Sequence, residues 1–241
     1  MVKKSFDEIK IEVKATEFES VTSHTKIPDQ VTIINVDTIS TIEKGYWIGN
    51  DGGYYNNYNN MDTTGEYTYR KMNFRVKFKD NNTEKNYYRL LVKKRSYINN
   101  EVSEKYLFNF EDIIFGNRQS QSSIGNLFNS GNNNYSYDTF SDDLINGKEY
   151  ELKFSDISII ESKDYKNPEI TFKREIRSIY FIYLQHISSD YYMYAKSSSK
   201  ARNTDNNPFM EPVQIHTNIQ NGIGIFGSYT SSPVKVIDVK Q

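Results

Sequence analysis

Short runs in which apolar and polar residues alternate constrain the fold of this chain more than any other feature. Apolar residues alternate with charged ones in residues 9–13, and the same pattern returns in residues 74–78. A period of two places one set of side chains on one face of a strand, as in a half-buried sheet. The chain also has 20 tyrosines and 14 phenylalanines, which suit strands with one face in water. These features predict a mainly β fold, an antiparallel β-sandwich.

Turn-forming residues divide the predicted strands. The segment of residues 49–67 is rich in Gly, Asn and Asp, which favour turns, so we expect an exposed loop there. Asp80, Asn81 and Asn82 follow the second alternating run, and they predict a hairpin in which residues 87–92 return beside residues 74–78.

Two further segments extend this prediction. Asn146-Gly147 is the dipeptide typical of two-residue hairpin turns, and it precedes a predicted strand in residues 149–154. Residues 176–186 are apolar on both faces, which is typical of a central strand covered on both sides.

One short helix is predicted in residues 189–201, packed on the sandwich. Ser188 or Ser189 can cap its first turn, and Asp190 suits the positive end of the helix dipole. Tyr191 and two residues one turn further along then share one face at helical spacing.

Gly222, Gly224 and Gly227 have the spacing of a dinucleotide-binding fingerprint. That fingerprint functions only where the glycines open a helix, whose N-terminus holds the pyrophosphate. The following residues, SYTSSPVKVIDV, contain a proline and an alternating run that predicts a strand. We therefore expect no nucleotide cofactor. We expect instead a turn at Asn221-Gly222, and a strand bend or a close backbone approach at the other two glycines.

Composition excludes several classes of function. The net charge is −1, from 30 basic and 31 acidic residues without a basic stripe, so we expect no nucleic-acid partner. No apolar run approaches the ~18 residues that a membrane-spanning helix needs. The first residues lack the continuous apolar core of a signal peptide. Cysteine is absent, which excludes disulfides and thiolate chemistry.

Neither metal ligands nor catalytic residues are predicted. Asp142 and Asp143, and the polar residues 80–84, suggest calcium, but a full site needs six to eight oxygens, so we favour charged turns. His24, His186 and His216 have no helical metal spacing, although a sheet could bring the last two together. No nucleophile elbow surrounds Ser228.

Aromatic residues in or beside the Gly/Asn-rich loop are the predicted ligand-binding residues. Rigid rings with a polar tip bind sugars or peptides with little loss of entropy, and asparagine adds hydrogen bonds. The alternative is that Trp47 anchors the loop to the core and the tyrosines cover it. The residues are Trp47, Tyr54, Tyr55 and Tyr58.

Four stretches resemble the family known as domain of unknown function 4249. They are NNTEKNYYRLLV, FSDDLINGKEYELKF, SIYFIYLQHISSDYYMYAK and NNPFMEPVQIHTNIQNGIGIFGSY, in that order along the chain. The resemblance covers about residues 25–228. Members of this family are lipoproteins of Bacteroidetes, usually encoded near TonB-dependent outer-membrane receptors.

The resemblance implies a location and a role. It implies a non-enzymatic accessory or ligand-binding protein at the outer membrane or cell surface, with a TonB-dependent receptor and a glycan or peptide as possible partners. A hydrolase acting on the imported polymer and a structural or adhesive module are the alternatives. Members begin with a lipid anchor and an immunoglobulin-like domain. We therefore expect residues 1–27 to be strands remaining from that domain, packed weakly, and residues 28–241 to form the sandwich without the anchor.

Overall fold

The computed structural model describes residues 8–48, 54–55, 63–82, 84–98, 101–107, 110, 112–115, 138–165, 171–204 and 213–240. The strands are β1 (Glu8–Val13), β2 (Val21–Lys26), β3 (Ile33–Ile48), β4 (Tyr54–Tyr55), β5 (Thr63–Lys79), β6 (Tyr87–Ile98), β7 (Glu101–Leu107), β8 (Thr139–Ser141), β9 (Glu149–Asp164), β10 (Phe172–Lys173), β11 (Ile176–Ile187), β12 (Tyr229–Ser231) and β13 (Lys235–Val239). An α-helix, α1 (Ser189–Thr204), and one turn of 3-10 helix (Ile113–Phe115) complete the described elements. Among them, no helix has the length and apolar character needed to cross a bilayer.

Antiparallel pairing gathers the strands into two large sheets and one small sheet. The five-stranded sheet has the order β10-β9-β5-β3-β4. The six-stranded sheet has the order β12-β11-β6-β7, and in addition β13 pairs with β11 and β8 pairs with β6. β1 and β2 form the small sheet, and Thr22 of β2 also forms an isolated antiparallel bridge with Gln220.

The hydrophobic core lies between the two large sheets, because each contributes alternate side chains to it. Phe74 stacks on Phe154 with ring centroids 4.6 Å apart, and it meets Tyr180 of the facing sheet at 4.8 Å. The predicted fold class, a mainly β antiparallel sandwich with one helix, is confirmed. Other fully buried members of the core are Val76, Phe78, Leu90, Val92, Leu152, Ile182 and Leu184.

β11 is a central strand, as predicted, because it pairs with β6 on one side and with β12 and β13 on the other. Its outward-facing Ile179, Phe181 and Tyr183 are only half-buried, so the expected cover on both faces is incomplete. The helix α1 packs on this sheet at the start of β6, where Tyr192 stacks on Tyr87 with centroids 4.6 Å apart. The helix ends three residues beyond the predicted limit of 201.

The prediction of a hairpin between residues 74–78 and 87–92 is wrong. β5 pairs with β3 and β9, whereas β6 pairs with β11, β7 and β8 in the other sheet. Residues 80–86 therefore cross between the sheets, and Phe78 meets Tyr88 edge-on through the core, with centroids 5.4 Å apart. Alternation specifies which face of a strand is buried, and it leaves the partner strand undetermined.

The turn predicted at Asn146-Gly147 is present, with Gly147 in the left-handed region at φ 71°. It does not close a hairpin, because β8 before it pairs with β6 and β9 after it pairs with β5. Residues 142–148 are therefore a second crossover between the sheets.

The two crossovers are joined by a set of buried polar groups, here called the crossover network: Asp80, Asn86, Tyr88, Asp142 and Gly147. Gly147 N–H donates to Asp80 Oδ2 at 2.7 Å, and Tyr88 OH donates to Asp80 Oδ1 at 2.5 Å. Asn86 N–H donates to Asp142 Oδ2 at 2.8 Å, and Asp142 N–H donates to the Asn86 carbonyl at 3.1 Å. Each crossover thus supplies hydrogen-bond partners for the other.

The glycine-rich segment near residue 224 is not followed by a helix, since β12 comes next. The predicted turn is present, and it is Asn221 that lies in the left-handed region, at φ 57°. Gly224 also has positive φ, at 129°. Gly227 lies against α1, where an added Cβ would be 3.0 Å from the Cβ of Tyr191. These positions serve a turn, a bend and a close approach, as expected.

β1 and β2 differ in how firmly they are held. Every residue of β1 is exposed, which agrees with the weak packing expected of residues 1–27. β2 departs from that expectation, because Ser23 Oγ donates to the Asn218 carbonyl at 2.8 Å and Ser228 Oγ donates to the Lys26 carbonyl at 2.5 Å. The assignment of these strands to a separate immunoglobulin-like domain stays a prediction.

Candidate functional site

The predicted aromatic residues fall at the far edge of the five-stranded sheet. The backbone register places Trp47 opposite Tyr54, and Tyr46 opposite Tyr55. Tyr58 lies outside the described residues, as do the side chains of Trp47, Tyr54 and Tyr55. The prediction of ligand contact at these residues therefore stays a prediction.

The expected loop of residues 49–67 is shorter than predicted, because Thr63 already begins β5. Tyr67, at its end, is buried rather than exposed. Its ring lies over Gly45 of β3, where an added Cβ would be only 2.2 Å from Tyr67 Cζ. Tyr69 lies beside it and donates its hydroxyl to Glu43 Oε2 at 2.7 Å, and its burial together with this bond raises the pKa of Tyr69 to about 12.

At one end of the five-stranded sheet, the face that elsewhere packs on the core is exposed, because the strands of the facing sheet are shorter. β3 and β5 have 16 and 17 residues, whereas the facing β6 and β7 have 12 and 7. Ile42 lies opposite Arg70, and Tyr46 opposite Glu66, on the face of β5 that also carries Phe74. Ile42 is 64% exposed and Tyr46 is 42% exposed. We call the surface formed by Ile42, Tyr46 and Glu66 the open face, and the buried Arg70 lies at its inner end.

A buried charged cluster lies between the sheets at the inner end of the open face. Lys94 Nζ donates to Asp156 Oδ2 at 2.5 Å and to Ser158 Oγ at 2.7 Å. Tyr180 OH donates to the same Asp156 oxygen at 2.8 Å. Lys94, Asp156 and Tyr180 are all buried. Burial lowers the pKa of Lys94, against the opposing effect of Asp156, and burial raises the pKa of Tyr180.

Two more cations face this cluster. Lys105 Nζ lies 4.0 Å from Asp156 Oδ1. Arg70 lies directly opposite Ser158 in the register, and its charge opposes protonation of Lys94. Two cationic side chains therefore lie within 4.0 Å of the Asp156 carboxylate, and a third, Arg70, is close enough to act on Lys94. We call Arg70, Lys94, Lys105, Asp156 and Ser158 the cation cluster.

The carboxylates that suggested calcium have protein partners. Asp80 and Asp142 belong to the crossover network, and burial raises the pKa of Asp142. Asp143 pairs with Lys85 at 2.8 Å and accepts a hydrogen bond from Ser141 Oγ at 2.6 Å, which together hold the pKa of Asp143 below its usual range. Within the described ranges there is no group of three or more metal-ligating acids and histidines.

The histidines that a sheet could have paired have separate partners. His186 Nδ1 lies 2.8 Å from the Asp29 carbonyl, and its ring packs on Tyr88 with centroids 5.0 Å apart. His216 Nε2 lies 2.9 Å from Asp190 Oδ1. His186 therefore connects the segment around Asp29 to β11, and His216 connects its own segment to α1.

We expect His186 to make folding stability fall as the pH is lowered through its unfolded pKa of 6.5. Burial lowers the pKa of His186 in the folded protein, so below pH 6.5 the unfolded chain binds a proton that the folded chain does not. Urea unfolding at pH 7.5 and 5.5 should show the loss, and His186→Gln should reduce it. An equal loss in the variant would assign the effect to other groups.

A family model described as Domain of unknown function (DUF4249) matches residues 4–233. The protein belongs to this family. The matched range includes every described element except β13. No curated protein and no solved structure matches the chain.

The sequence stretches that resembled DUF4249 have clear places in this fold. NNTEKNYYRLLV contains most of the first crossover and the start of β6. FSDDLINGKEYELKF contains the end of β8, the second crossover and the start of β9. These two stretches supply all but one member of the crossover network, since Asp80 precedes the first of them. SIYFIYLQHISSDYYMYAK forms most of β11 and the first half of α1. The resemblance therefore rests on the connections between the sheets as well as on the strands.

The cation cluster was missed by the sequence reasoning, although a signal for it exists. Arg70, Lys94 and Asp156 occupy positions that the alternation assigns to the inside. Arg70 lies two residues before Met72, and Lys94 and Asp156 lie two residues after Val92 and Phe154. A charged residue at an inward position indicates a buried polar group that needs a partner.

Proposed function

We propose that this DUF4249 protein is a non-enzymatic ligand-binding protein that assists nutrient uptake at the outer membrane. The observation that carries the proposal is the open face, where exposed Ile42 and Tyr46 adjoin the cation cluster. Exposed apolar side chains next to a few polar groups are typical of binding surfaces.

The neighbouring aromatic residues support an extended ligand. The register at the edge of the sheet brings Trp47 opposite Tyr54 and Tyr46 opposite Tyr55, close to the open face along the same strand. Aromatic rings contact sugar faces and peptide groups at low entropic cost. By alternation along β3, the Tyr46–Tyr55 pair belongs to the open face and the Trp47–Tyr54 pair to the opposite face, so an oligosaccharide or a peptide would contact both only by passing around the edge of the sheet.

The state of the buried carboxylates favours binding over hydrolysis. Glycoside hydrolysis needs two carboxyl groups that face the substrate and are free to exchange protons. Asp156 accepts hydrogen bonds from Lys94 and Tyr180, and Asp112 accepts them from Tyr150 OH at 2.6 Å and Lys153 N–H at 2.9 Å. These acids support the fold, so we assign the protein no catalytic step.

The location at the membrane is proposed from the family resemblance. A lipid anchor would hold the protein at the outer membrane, and a TonB-dependent receptor would be its partner. Membrane fractionation of cells producing the native protein, followed by co-purification with a tagged receptor, tests this part. Recovery only in the soluble fraction would contradict it.

The binding role is tested by an oligosaccharide and peptide array, followed by titration calorimetry with the ligand found. Ile42→Ala combined with Tyr46→Ala should weaken binding by about ten-fold or more, because rigid anchors dominate binding energy. The melting temperature should change little, since exposed side chains contribute little to folding. Ile223→Ala, which alters a side chain that is 98% exposed outside the open face, is the matched control.

The contribution of the three tyrosines near the edge of the five-stranded sheet is measured with the same ligand. The triple variant Tyr54→Ala, Tyr55→Ala and Tyr58→Ala should keep its melting temperature and lose affinity for the same ligand. If the Ile42, Tyr46 double variant and the triple tyrosine variant both keep wild-type affinity, the binding site lies elsewhere. A large decrease in the melting temperature of the triple variant would show that these tyrosines belong to the core.

A further inference from the structure

The cation cluster has more positive charge than its own carboxylate balances. Lys94 and Lys105 lie 2.5 and 4.0 Å from the Asp156 carboxylate, which also accepts a hydrogen bond from Tyr180 OH at 2.8 Å, and the charge of Arg70 acts on Lys94. Buried cations are stable where an anion or several acceptors compensate them. The cation cluster therefore has a net positive charge that a further anion would neutralise.

Arg70 is the member that lacks a partner. Its side chain is only 9% exposed, and within the described residues it makes no hydrogen bond or ion pair. No Arg70 nitrogen is among the fully buried side-chain atoms that lack a hydrogen-bond partner, so the guanidinium keeps contact with solvent and its N–H donors are available to a ligand. Its register position opposite Ser158, and its electrostatic effect on Lys94 and Tyr180, place its charge among the groups of the cation cluster.

The site can be reached from the open face. Arg70 lies directly opposite Ile42 on β3, and the Ile42 side chain is exposed to solvent. The Lys105 side chain on the edge strand β7 is 50% exposed, so its ammonium group can move toward a bound anion. A ligand lying on Ile42 therefore has an unpaired guanidinium beside it.

We infer that the cation cluster is a subsite for a carboxylate group of the ligand, bound by Arg70 and assisted by Lys105. This inference deepens the proposed binding function and rests on it for the remainder of the ligand. A carboxylate is planar and presents two oxygens at the spacing of the guanidinium N–H pairs, so one group satisfies two donors of Arg70. Its single charge compensates Arg70 while Lys94 stays paired with Asp156.

The test is titration calorimetry of the purified protein with small probes. Acetate tests the bare carboxylate, sodium glucuronate tests a sugar acid, and N-acetylglutamate tests an acidic side chain. Glucose and acetamide are the neutral controls. We expect saturable binding of at least one carboxylate probe and none of the neutral ones. No saturable heat from any carboxylate, or tighter binding of inorganic phosphate than of all three, would overturn the inference.

Variants of the cluster locate the bound group. Arg70→Met should lower the affinity for the carboxylate probe by about ten-fold or more, as expected when a charge-assisted hydrogen-bonded pair is lost. Arg70→Lys should recover only part of that affinity. Lys105→Met is the second variant, because its half-exposed side chain can be replaced without disturbing the core, and it should also weaken binding. Lys235→Met, on β13, is the control. Wild-type affinity in both Arg70→Met and Lys105→Met would overturn the inference.

The two proposals fail in different ways. One outcome is that the ligand found on the array binds the Ile42→Ala, Tyr46→Ala variant weakly but binds Arg70→Met with wild-type affinity. The open face would then bind the ligand, and the proposal of a carboxylate subsite would be wrong. If no array ligand binds but a carboxylate probe binds and needs Arg70, the subsite stands and the proposed function is wrong.

Discussion

Replacing Asp80 with alanine should lower the free energy of unfolding by about 3–5 kcal/mol, because it leaves Gly147 N–H and Tyr88 OH without their acceptor. The Asp80 carboxylate accepts hydrogen bonds from Gly147 N–H, Tyr88 OH and the Asn86 side chain, at 2.7, 2.5 and 3.3 Å. The bond from Gly147 connects the two crossovers, and the bonds from Asn86 and Tyr88 hold the first crossover against itself and against β6. Urea unfolding monitored by circular dichroism measures the loss.

Tyr88→Phe is the matched control for this prediction. It removes one hydroxyl group and leaves Asp80 with its other two donors, so the loss should be about 1–2 kcal/mol. A loss below about 1 kcal/mol for Asp80→Ala would show that the crossover network contributes little to stability.

Replacing Lys94 with methionine should cost about 3–5 kcal/mol of unfolding free energy, since it breaks a buried ion pair and leaves the other charge behind. Asp156 is 6% exposed, and in the variant it would keep Tyr180 OH at 2.8 Å and the more distant Lys105. The measurement is the same urea unfolding, carried out at pH 7.

The double variant Lys94→Met and Asp156→Leu separates the pair from its surroundings. Removing both charges should restore most of the stability, because a buried pair is often replaceable by apolar residues of similar size. If the double variant is less stable than Lys94→Met alone, the ion pair is not the origin of the loss.

Alternation of side chains predicted the strands well and their partners poorly. Residues 176–186 were predicted as a central strand, and β11 has this place. Residues 74–78 and 87–92 were also predicted as strands, but as a hairpin, whereas they lie in facing sheets. Each strand buries one face in both arrangements, so the pattern is the same for a hairpin and for a crossover. The difference comes from contacts between residues 80–86 and 142–148, which are distant in sequence.

The site was predictable only in part, for a related reason. The aromatic residues near 47–58 were identified from composition, and the register does bring Trp47 and Tyr54 together. The cation cluster depends on four strands from two sheets, β5 and β9 facing β6 and β7, that meet at one level, which local patterns do not specify. The inward position of Arg70 follows from the alternation, but its lack of a partner becomes visible only when the facing sheet is in place.

The two crossovers also determine the order in which the chain can fold. β3 with β5, and β6 with β7, are neighbours in sequence and can pair early. The sheets that contain them are completed only by β9 and β11, from residues 149–164 and 176–187. Domains dominated by such distant pairings fold slowly, because long loops must close before contacts reward them. Until β9 and β11 are in place, β5 and β6 each have an unpaired edge on which strands of another chain can assemble.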